Sequence, residues 1–220
     1  MDNDNTITEI NINGKDFMTS VEEAIGWKPI EVKFKKLDPR AVIPSYAHQG
    51  DVGMDMTAID VEYNAELDLY IYHTGLAFES DFHFGQLLFP RSSNRKTDAY
   101  LCNSVGIADS AIYRGEILFC FKNRESIQSL ANRTAMEAYM HFLSQLKPSG
   151  TTMFTEALKV YDSVYKEVLE KAKQLEFAPY KVGDRIGQMV IVNYPDVTLV
   201  EQDELQDSER GANGFGSTGN

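Results

Sequence analysis

The sequence predicts a mainly β fold, a sandwich or barrel of short strands, interrupted by one pair of helices. Short runs rich in β-branched and aromatic residues alternate with turn-forming residues, a pattern typical of such folds. The predicted strands cover 30–37, 67–80, 84–90, 117–122, 187–194 and 197–202. Between the fourth and fifth strands the apolar spacing changes to three and four residues, which predicts helices rather than strands.

The helical stretch, residues 123–178, is predicted to be a hairpin inserted between two strands. A turn at 148–150 separates its two halves, and Thr151 or Thr152 is placed to cap the second helix. Connections between strands are ordinarily a few residues long, so we expect this insertion to be a distinct structural unit. The predicted organisation is an N-terminal extension (1–28), a β core (29–122 and 179–209), the helical hairpin (123–178) and a glycine-rich C-terminal strap (210–220).

The overall charge limits the classes of partner. A formal net charge of −12 repels DNA and anionic membranes, so we expect neither nucleic acid nor membrane as a partner. No apolar run approaches membrane-spanning length and the polar N-terminus does not resemble a signal peptide, which predicts a cytoplasmic protein. The two cysteines, Cys102 and Cys120, lie in apolar runs and are expected to be buried thiols in a reducing compartment.

Two polar segments in the first half carry candidate chemistry. In 50–58, Asp55 lies among glycines, as a turn residue or as a carboxylate beside a metal–phosphate complex. After strand 84–90 come Arg91, Ser92 and Ser93, which form either a plain strand-end loop or an anion site of guanidinium, hydroxyl and backbone donors.

Two further segments follow. In 102–117, Gly106 and Gly115 are predicted to frame a hairpin with Asp109 and Tyr113 near its tip. Asp109 follows an apolar run and either caps a turn or serves as a general base that activates water. In 182–191, Gln188 is a candidate phosphate contact, although a turn with a structural Asp184–Arg185 pair explains that segment nearly as well.

The last segment is the strap itself, 210–220. Its four glycines allow close backbone approach to a ligand, and Arg210 supplies a forked cation suited to phosphate. Ser217 and Thr218 add donors and Phe215 adds a flat apolar face. The alternative interpretation is a solvated chain end.

Taken together, these five segments resemble, in order, the five motifs of the trimeric dUTPases (deoxyuridine 5'-triphosphate nucleotidohydrolases). The matching stretches are GDVGMDMTA, PRSS, NSVGIADSAIYRGEI, GDRIGQMV and RGANGFGSTG. The resemblance covers about 30–122 and 180–220, but neither the extension nor the insertion. The chain departs from the family pattern at Ser93, Gly187 and Asn213, and has one extra residue between Asp109 and Tyr113.

The resemblance implies a distorted jelly-roll β-barrel that hydrolyses dUTP to dUMP and pyrophosphate, which keeps uracil out of DNA and supplies dUMP for thymidylate synthesis. It implies Mg²⁺-assisted attack of water on the α-phosphorus, with Asp109 as general base and Asp55 bonded to metal-bound water. The substrate-binding residues it implies are Arg91, Ser92, Ser93, Asn103, Gly106, Ile107, Asp109, Tyr113, Leu118, Gln188, Arg210, Phe215, Gly216, Ser217 and Thr218.

The resemblance also implies a homotrimer whose active sites are shared between chains. Two alternatives stay open: a dCTP deaminase-type enzyme, and a regulatory dUTPase homologue that binds a protein partner through the insertion. The hairpin is expected to pack against a neighbouring subunit, and a protein partner is its alternative contact.

Overall fold

The computed structural model describes residues 30–145, 152–204 and 206–208. The predicted extension (1–28), the turn at 148–150 and the strap (210–220) lie outside these residues. The strands are β1 (Lys33–Lys36), β2 (Met54–Thr57), β3 (Asp60–Asn64), β4 (Leu69–His73), β5 (Leu76–Glu79), β6 (Phe84–Pro90), β7 (Ala99–Leu101), β8 (Gly106–Ala108), β9 (Leu118–Asn123) and β10 (Arg185–Asn193). The helices are α1 (Ile127–Gln145) and α2 (Thr152–Lys173).

The strands form antiparallel sheets, which confirms the mainly β prediction. Two four-stranded sheets have the orders β2–β10–β6–β8 and β3–β4–β9–β7, and β1 pairs with β5. Large aromatic side chains fill the core: Tyr72, Phe119 and Phe121 are almost completely buried. Their rings and Met56 belong to one cluster with residues from both four-stranded sheets, so the sheets share a single apolar core.

The register of β10 brings three sequence segments side by side. Gln188 pairs with Phe89 of β6 on one side and with Asp55 of β2 on the other. A register shift between Arg185 and Gly187 alters the direction of the strand at its first residue. The end of β6, the start of β10 and the middle of β2 therefore meet at one place.

The strand predicted over 67–80 is in fact two strands, β4 and β5. Gly75 between them has φ of +67°, which breaks the extended backbone. A residue distant in sequence stabilises the turn, because the Thr74 hydroxyl donates a hydrogen bond to the Ile117 carbonyl at 2.7 Å. The alternation of β-forming residues continued through this turn, so periodicity alone did not reveal it.

Two other predictions about strands were wrong. The segment between Gly106 and Gly115 is not part of a β-hairpin, because β8 pairs with β6 whereas β9 pairs with β4 and β7. Residues 109–117 instead cross from one sheet to the other. The predicted strand at 197–202 is extended without strand pairing, and Val197 and Leu199 are 72% and 92% exposed.

The two helices lie within the predicted range 123–178. They pack closely through small residues, since Ala131, Ala135 and Ala157 are fully buried. The Asp68 carboxylate accepts a hydrogen bond from the Ile127 amide at 3.1 Å, which satisfies a free donor at the start of α1. The division of the chain into domains stays a prediction. Among the described residues, no helix is long and apolar enough to cross a membrane.

The cysteines do not lie where the sequence suggested. Cys102 is exposed and Cys120 is half-buried, rather than both being buried. Cys120 lies on β9 between two core residues, Phe119 and Phe121, but its own side chain is on the opposite face of the strand.

The Phe119 ring packs directly against Gly187, and this packing gives a first prediction. A methyl group added at Gly187 would overlap the Phe119 ring, which is almost fully buried. We expect Gly187→Ala to lower the free energy of unfolding by about 1–3 kcal/mol, the usual cost of overpacking. Chemical denaturation measures this change.

The control is the double variant Gly187→Ala/Phe119→Leu. Since the smaller leucine leaves room for the methyl, the double variant should be more stable than the sum of the two single changes predicts. Strict additivity of the two changes would show that the ring does not occupy the space above Gly187.

Candidate active site

The carboxylate of Asp55 is the centre of a charged cluster. Its Oδ1 accepts hydrogen bonds from Arg91 Nε at 2.8 Å and Gln188 Nε2 at 3.3 Å. Its Oδ2 accepts from Arg185 at 2.9 Å and from a second Arg91 nitrogen at 3.2 Å. Three of the five predicted motifs, the first, second and fourth, thus meet at one buried side chain.

The cluster carries a net positive charge at the protein surface. The Asp55 side chain is 6% exposed, whereas those of Arg91 and Arg185 are 23% and 53% exposed. Two guanidinium groups against one carboxylate leave an excess positive charge, and the accessible donors belong to the arginines. Ser92 and Ser93 follow directly, at the start of a 3₁₀ turn, Ser92–Lys96. This arrangement suits a phosphate group.

A second feature is a cavity of about 260 Å³ between β6, β8 and β9. Six residues predicted for the third motif line it, so the structure brings these together: Asn103, Gly106, Ile107, Asp109, Tyr113 and Leu118. The cavity also has contributors that the sequence had not indicated, including Leu88 and Glu116. Its size and its mixture of apolar side chains and backbone polar groups suit a small heterocycle.

The extra residue of the third motif is absorbed in a tight turn. The Asp109 carbonyl accepts from both the Ile112 amide at 2.9 Å and the Tyr113 amide at 2.7 Å. Ile112 projects outward and is 73% exposed, while Tyr113 stays at the cavity. The additional residue therefore lengthens the turn without removing either Asp109 or Tyr113 from the pocket.

Glu116 holds this turn against the rest of the sheet. It was not identified from the sequence as a functional residue. Its carbonyl accepts from the Tyr113 hydroxyl at 3.0 Å. Its carboxylate accepts from the Gly75 amide at 2.7 Å and contacts His73 Nδ1 at 3.0 Å. The sequence offered only an acid directly after Arg-Gly, and the partners of this acid are about forty residues away in the chain.

Arg185 is the other residue whose role the sequence did not reveal. Asp184 accepts from the Lys181 amide at 2.7 Å and shapes the turn before β10, while Arg185 pairs with Asp55. The structural Asp184–Arg185 pair considered from sequence is therefore absent among the described ion pairs, since Arg185 bonds Asp55 instead. Arg210, Phe215, Gly216, Ser217 and Thr218 lie outside the described residues.

The positive cluster and the cavity lie at different places along β6. In the β6–β8 register, Gln86 pairs with Ala108, which puts Asp109 level with Gly85. Arg91 lies six residues further along, and at 3.3 Å per residue this is about 20 Å. Within one chain, the backbone positions of Asp109 and Arg91 are thus well separated.

A positive cluster suited to phosphate and a pocket for a small heterocycle, on an antiparallel β framework, are the features of a nucleotide-binding protein. No family model matches the chain. The chain is 28% identical over 191 residues to a dUTP nucleotidohydrolase of Thermobifida fusca, with 86% of this chain and 79% of that protein covered. It is 29% identical to the enzyme of the same name from a Picosynechococcus species, of which 99% is covered.

Its fold matches that of a variant of the Staphylococcus bacteriophage 80alpha dUTPase solved with dUpNHpp. The TM-score is 0.56 at 20% identity, with 86% of this chain and 98% of the phage chain covered. The predicted relationship to the dUTPases is therefore confirmed, and so is the fold that the relationship implied.

The Asp55 cluster gives a second prediction. Asp55→Ala removes the only carboxylate that contacts the half-buried Arg91 guanidinium in the described part of the chain. We expect the free energy of unfolding to fall by about 3 kcal/mol, because a buried charge is left uncompensated. The matched control is Asp60→Ala, which removes an exposed contact with Arg40 and should cost less than about 1 kcal/mol.

Urea denaturation of the two variants side by side provides the measurement. Equal stability of the two variants would contradict the structural role of the cluster.

Proposed function

We infer that this protein hydrolyses dUTP to dUMP and pyrophosphate. The curated relatives carry that activity in their names, and the five motif segments occur in family order. The observation that carries the proposal is the cavity of the third motif, because it gathers Asp109, Tyr113 and the base-facing residues around a space for one small ring.

The cavity accounts for selection of the base. The backbone groups of Gly106 and Leu118, which both line the cavity, are the proposed partners of the donor–acceptor edge of uracil. A methyl group added at Gly106 would meet Leu88 Cβ at 3.1 Å, so this wall of the pocket has no room for a side chain at position 106. A narrow pocket discriminates against the methyl of thymine by shape, and a mismatched cytosine edge leaves buried groups unpaired.

Asp109 is the proposed general base. Asp109 is exposed and lines the cavity. Within the described residues, its carboxylate has no hydrogen-bond or ion-pair partner. It is therefore available to accept a proton as water attacks the α-phosphorus and pyrophosphate leaves. Tyr113, held by the Glu116 carbonyl, occupies the sugar side of the pocket and opposes a 2'-hydroxyl.

Arg91, Ser92, Ser93 and Gln188 are the proposed contacts to the α- and β-phosphates. Arg91 and Gln188 belong to the positive cluster, and the two serines begin the turn beside it. Each charge-assisted hydrogen bond to a phosphate oxygen contributes about 1.5–3 kcal/mol. Arg210, Ser217, Thr218 and Phe215, outside the described residues, are proposed to close over the γ-phosphate and the base.

The described residues suit Mg²⁺ that is bound mainly by the phosphates of the substrate, rather than by protein side chains. Among the described residues, no group of three or more His, Cys, Asp or Glu side chains is arranged to hold a metal ion. Both oxygens of Asp55 accept hydrogen bonds from arginines, so Asp55 has capacity for no more than a metal-bound water. The triphosphate would supply the remaining ligands, and the ion would neutralise charge on the phosphates during attack.

The role of Asp109 is tested with Asp109→Asn. We expect kcat to fall by a factor of about 10²–10⁴, because the amide cannot accept the proton. Binding of dUpNHpp, measured by calorimetry, should stay close to that of the wild type. The control is Asp60→Asn, because Asp60 is exposed and does not line the cavity, and this variant should keep full activity. Full turnover by Asp109→Asn would exclude it as the base.

We further propose that the protein is a homotrimer in which each site is shared between chains. The separation of about 20 Å along β6 is too long for Asp109 and Arg91 of one chain to serve the same α-phosphate. The extended segment 194–204 supports assembly as well, because Val197, Leu199 and Val200 are strongly exposed in the single chain. A second copy would cover these side chains.

Shared sites are tested by mixing two inactive variants, Asp109→Asn and Arg91→Ala. Unfolded together and refolded at equal amounts, they should regain activity at about one quarter of the sites, the fraction expected for random assembly with one residue from each of two chains. Mixing after separate refolding is the control and should restore little. A mixture that stays inactive, although mass measurements show mixed trimers, would place each site within one chain.

The two alternatives are not favoured by the relatives, which are named dUTP nucleotidohydrolases. Release of pyrophosphate from dUTP, with dCTP, dTTP and UTP as competitors and with or without Mg²⁺, separates them. A deaminase would release ammonia from dCTP, and a purely regulatory homologue would release neither product. A partner role for the insertion stays a proposal, tested by deleting 124–178 and measuring trimer mass and turnover.

A further inference from the structure

The two cysteines of the chain face each other across two neighbouring strands. The β7–β9 register pairs Ala99 with Asn123 and Leu101 with Phe121. The next position pairs Cys102 with Cys120, and the Cys102 amide donates to the Cys120 carbonyl at 2.9 Å. The sequence contains no other cysteine.

Both thiols lie on the same, outward side of the sheet. Leu101, Phe119 and Phe121, the chain neighbours of the two cysteines, are buried in the core. Because side chains alternate along a strand, Cys102 and Cys120 point to the other face. Directly opposed residues have Cβ atoms about 4.5–5.5 Å apart, and a disulfide requires about 3.8 Å. Cys102 lies one residue beyond the end of β7, so a local rotation of the chain there would bring the two Cβ atoms within that distance.

The pair lies at the edge of the cavity that binds the base in the proposed function. Asn103 directly follows Cys102, and Leu118 lies two residues before Cys120 on the same face of β9. Both residues line the cavity. A covalent link between the cysteines would therefore hold together the two chain segments on either side of the pocket.

We propose that Cys102 and Cys120 form a reversible disulfide that narrows the base pocket. The oxidant is a low-molecular-weight disulfide such as oxidised glutathione. One cysteine thiolate attacks it, forms a mixed disulfide and releases one glutathione thiol. The second cysteine then attacks its partner's sulfur and releases the second glutathione, so that two protein thiols are oxidised and one disulfide is reduced to two thiols.

In the reduced protein both thiols are protonated near neutral pH. Burial raises the pKa of both thiols above the usual value, and the neighbouring thiol raises that of Cys120 further. Because the thiolate is the attacking form, the exchange should become faster as the pH rises from 7 to 9. Cys102 is exposed, so we expect its thiolate to attack the glutathione disulfide first.

The test uses the full-length protein, reduced, desalted and incubated with oxidised glutathione at pH 8.5. After an acid quench, denaturation and alkylation with iodoacetamide, intact mass is measured. We expect a monomer mass lower by two hydrogen atoms, with no alkyl group and no glutathione attached. Two alkylated thiols, a stable glutathione adduct or a disulfide-linked dimer would each overturn the proposal.

Cys102→Ser and Cys120→Ser are the matched controls. Each leaves a single thiol, so each should stop at the glutathione adduct, and reduction with dithiothreitol should reverse every product. Circular dichroism of these variants confirms that each is folded before the comparison.

The effect on the pocket rests on the proposed function and is measured separately. The oxidised wild type should show a KM for dUTP raised severalfold with kcat little changed, restored by dithiothreitol, whereas the serine variants without adduct should not respond. An unchanged KM with the disulfide formed would overturn the narrowing of the pocket. Absence of dUTP hydrolysis in both redox states would instead contradict the proposed function, because the mass result does not depend on activity.

Discussion

The positive cluster depends on the hydrogen bonds that the Asp55 carboxylate accepts from its neighbours. This carboxylate accepts four hydrogen bonds from three side chains, and it draws together the middle of β2, the end of β6 and the start of β10. Without the negative charge of Asp55, the half-buried Arg91 guanidinium would face the like charge of Arg185 with no compensating partner. With it, the two guanidinium groups are fixed in place and still carry a surplus of positive charge toward solvent. An overall acidic protein obtains in this way a local site for a polyanion.

Two of the departures from the family pattern are matched by other features of the chain. Gly187 stands where alanine is common, and the Phe119 ring fills the space above it. The extra residue after Asp109 is absorbed by the turn that exposes Ile112, while Glu116 anchors the turn to Gly75 and His73. Each change is local, so the pocket retains the residues that the motifs predict.

The sequence allowed the mainly β class, the helical insertion and the motif residues to be predicted, because these depend on local periodicity and residue type. The predictions that failed depend on distant partners. The break at Gly75 was hidden by β-forming neighbours on both sides. The crossover after β8 was mistaken for a hairpin, because glycines at 106 and 115 indicate turns but not which strands pair. Likewise, nothing near Arg185 in sequence indicated that Asp55 was its partner.

The proposed shared site depends most on the distance between Asp109 and Arg91 along β6, because one nucleotide would have to bridge two copies of the chain to contact both residues. A crystal structure of the full-length protein with dUpNHpp and Mg²⁺ tests this most directly. If the sites are shared, we expect a base bound at Leu118 and an α-phosphate beside Asp109 of one copy, with Arg91 and Gln188 of a second copy on the phosphates. A nucleotide whose base and phosphates contact Leu118, Asp109 and Arg91 of the same copy would contradict it.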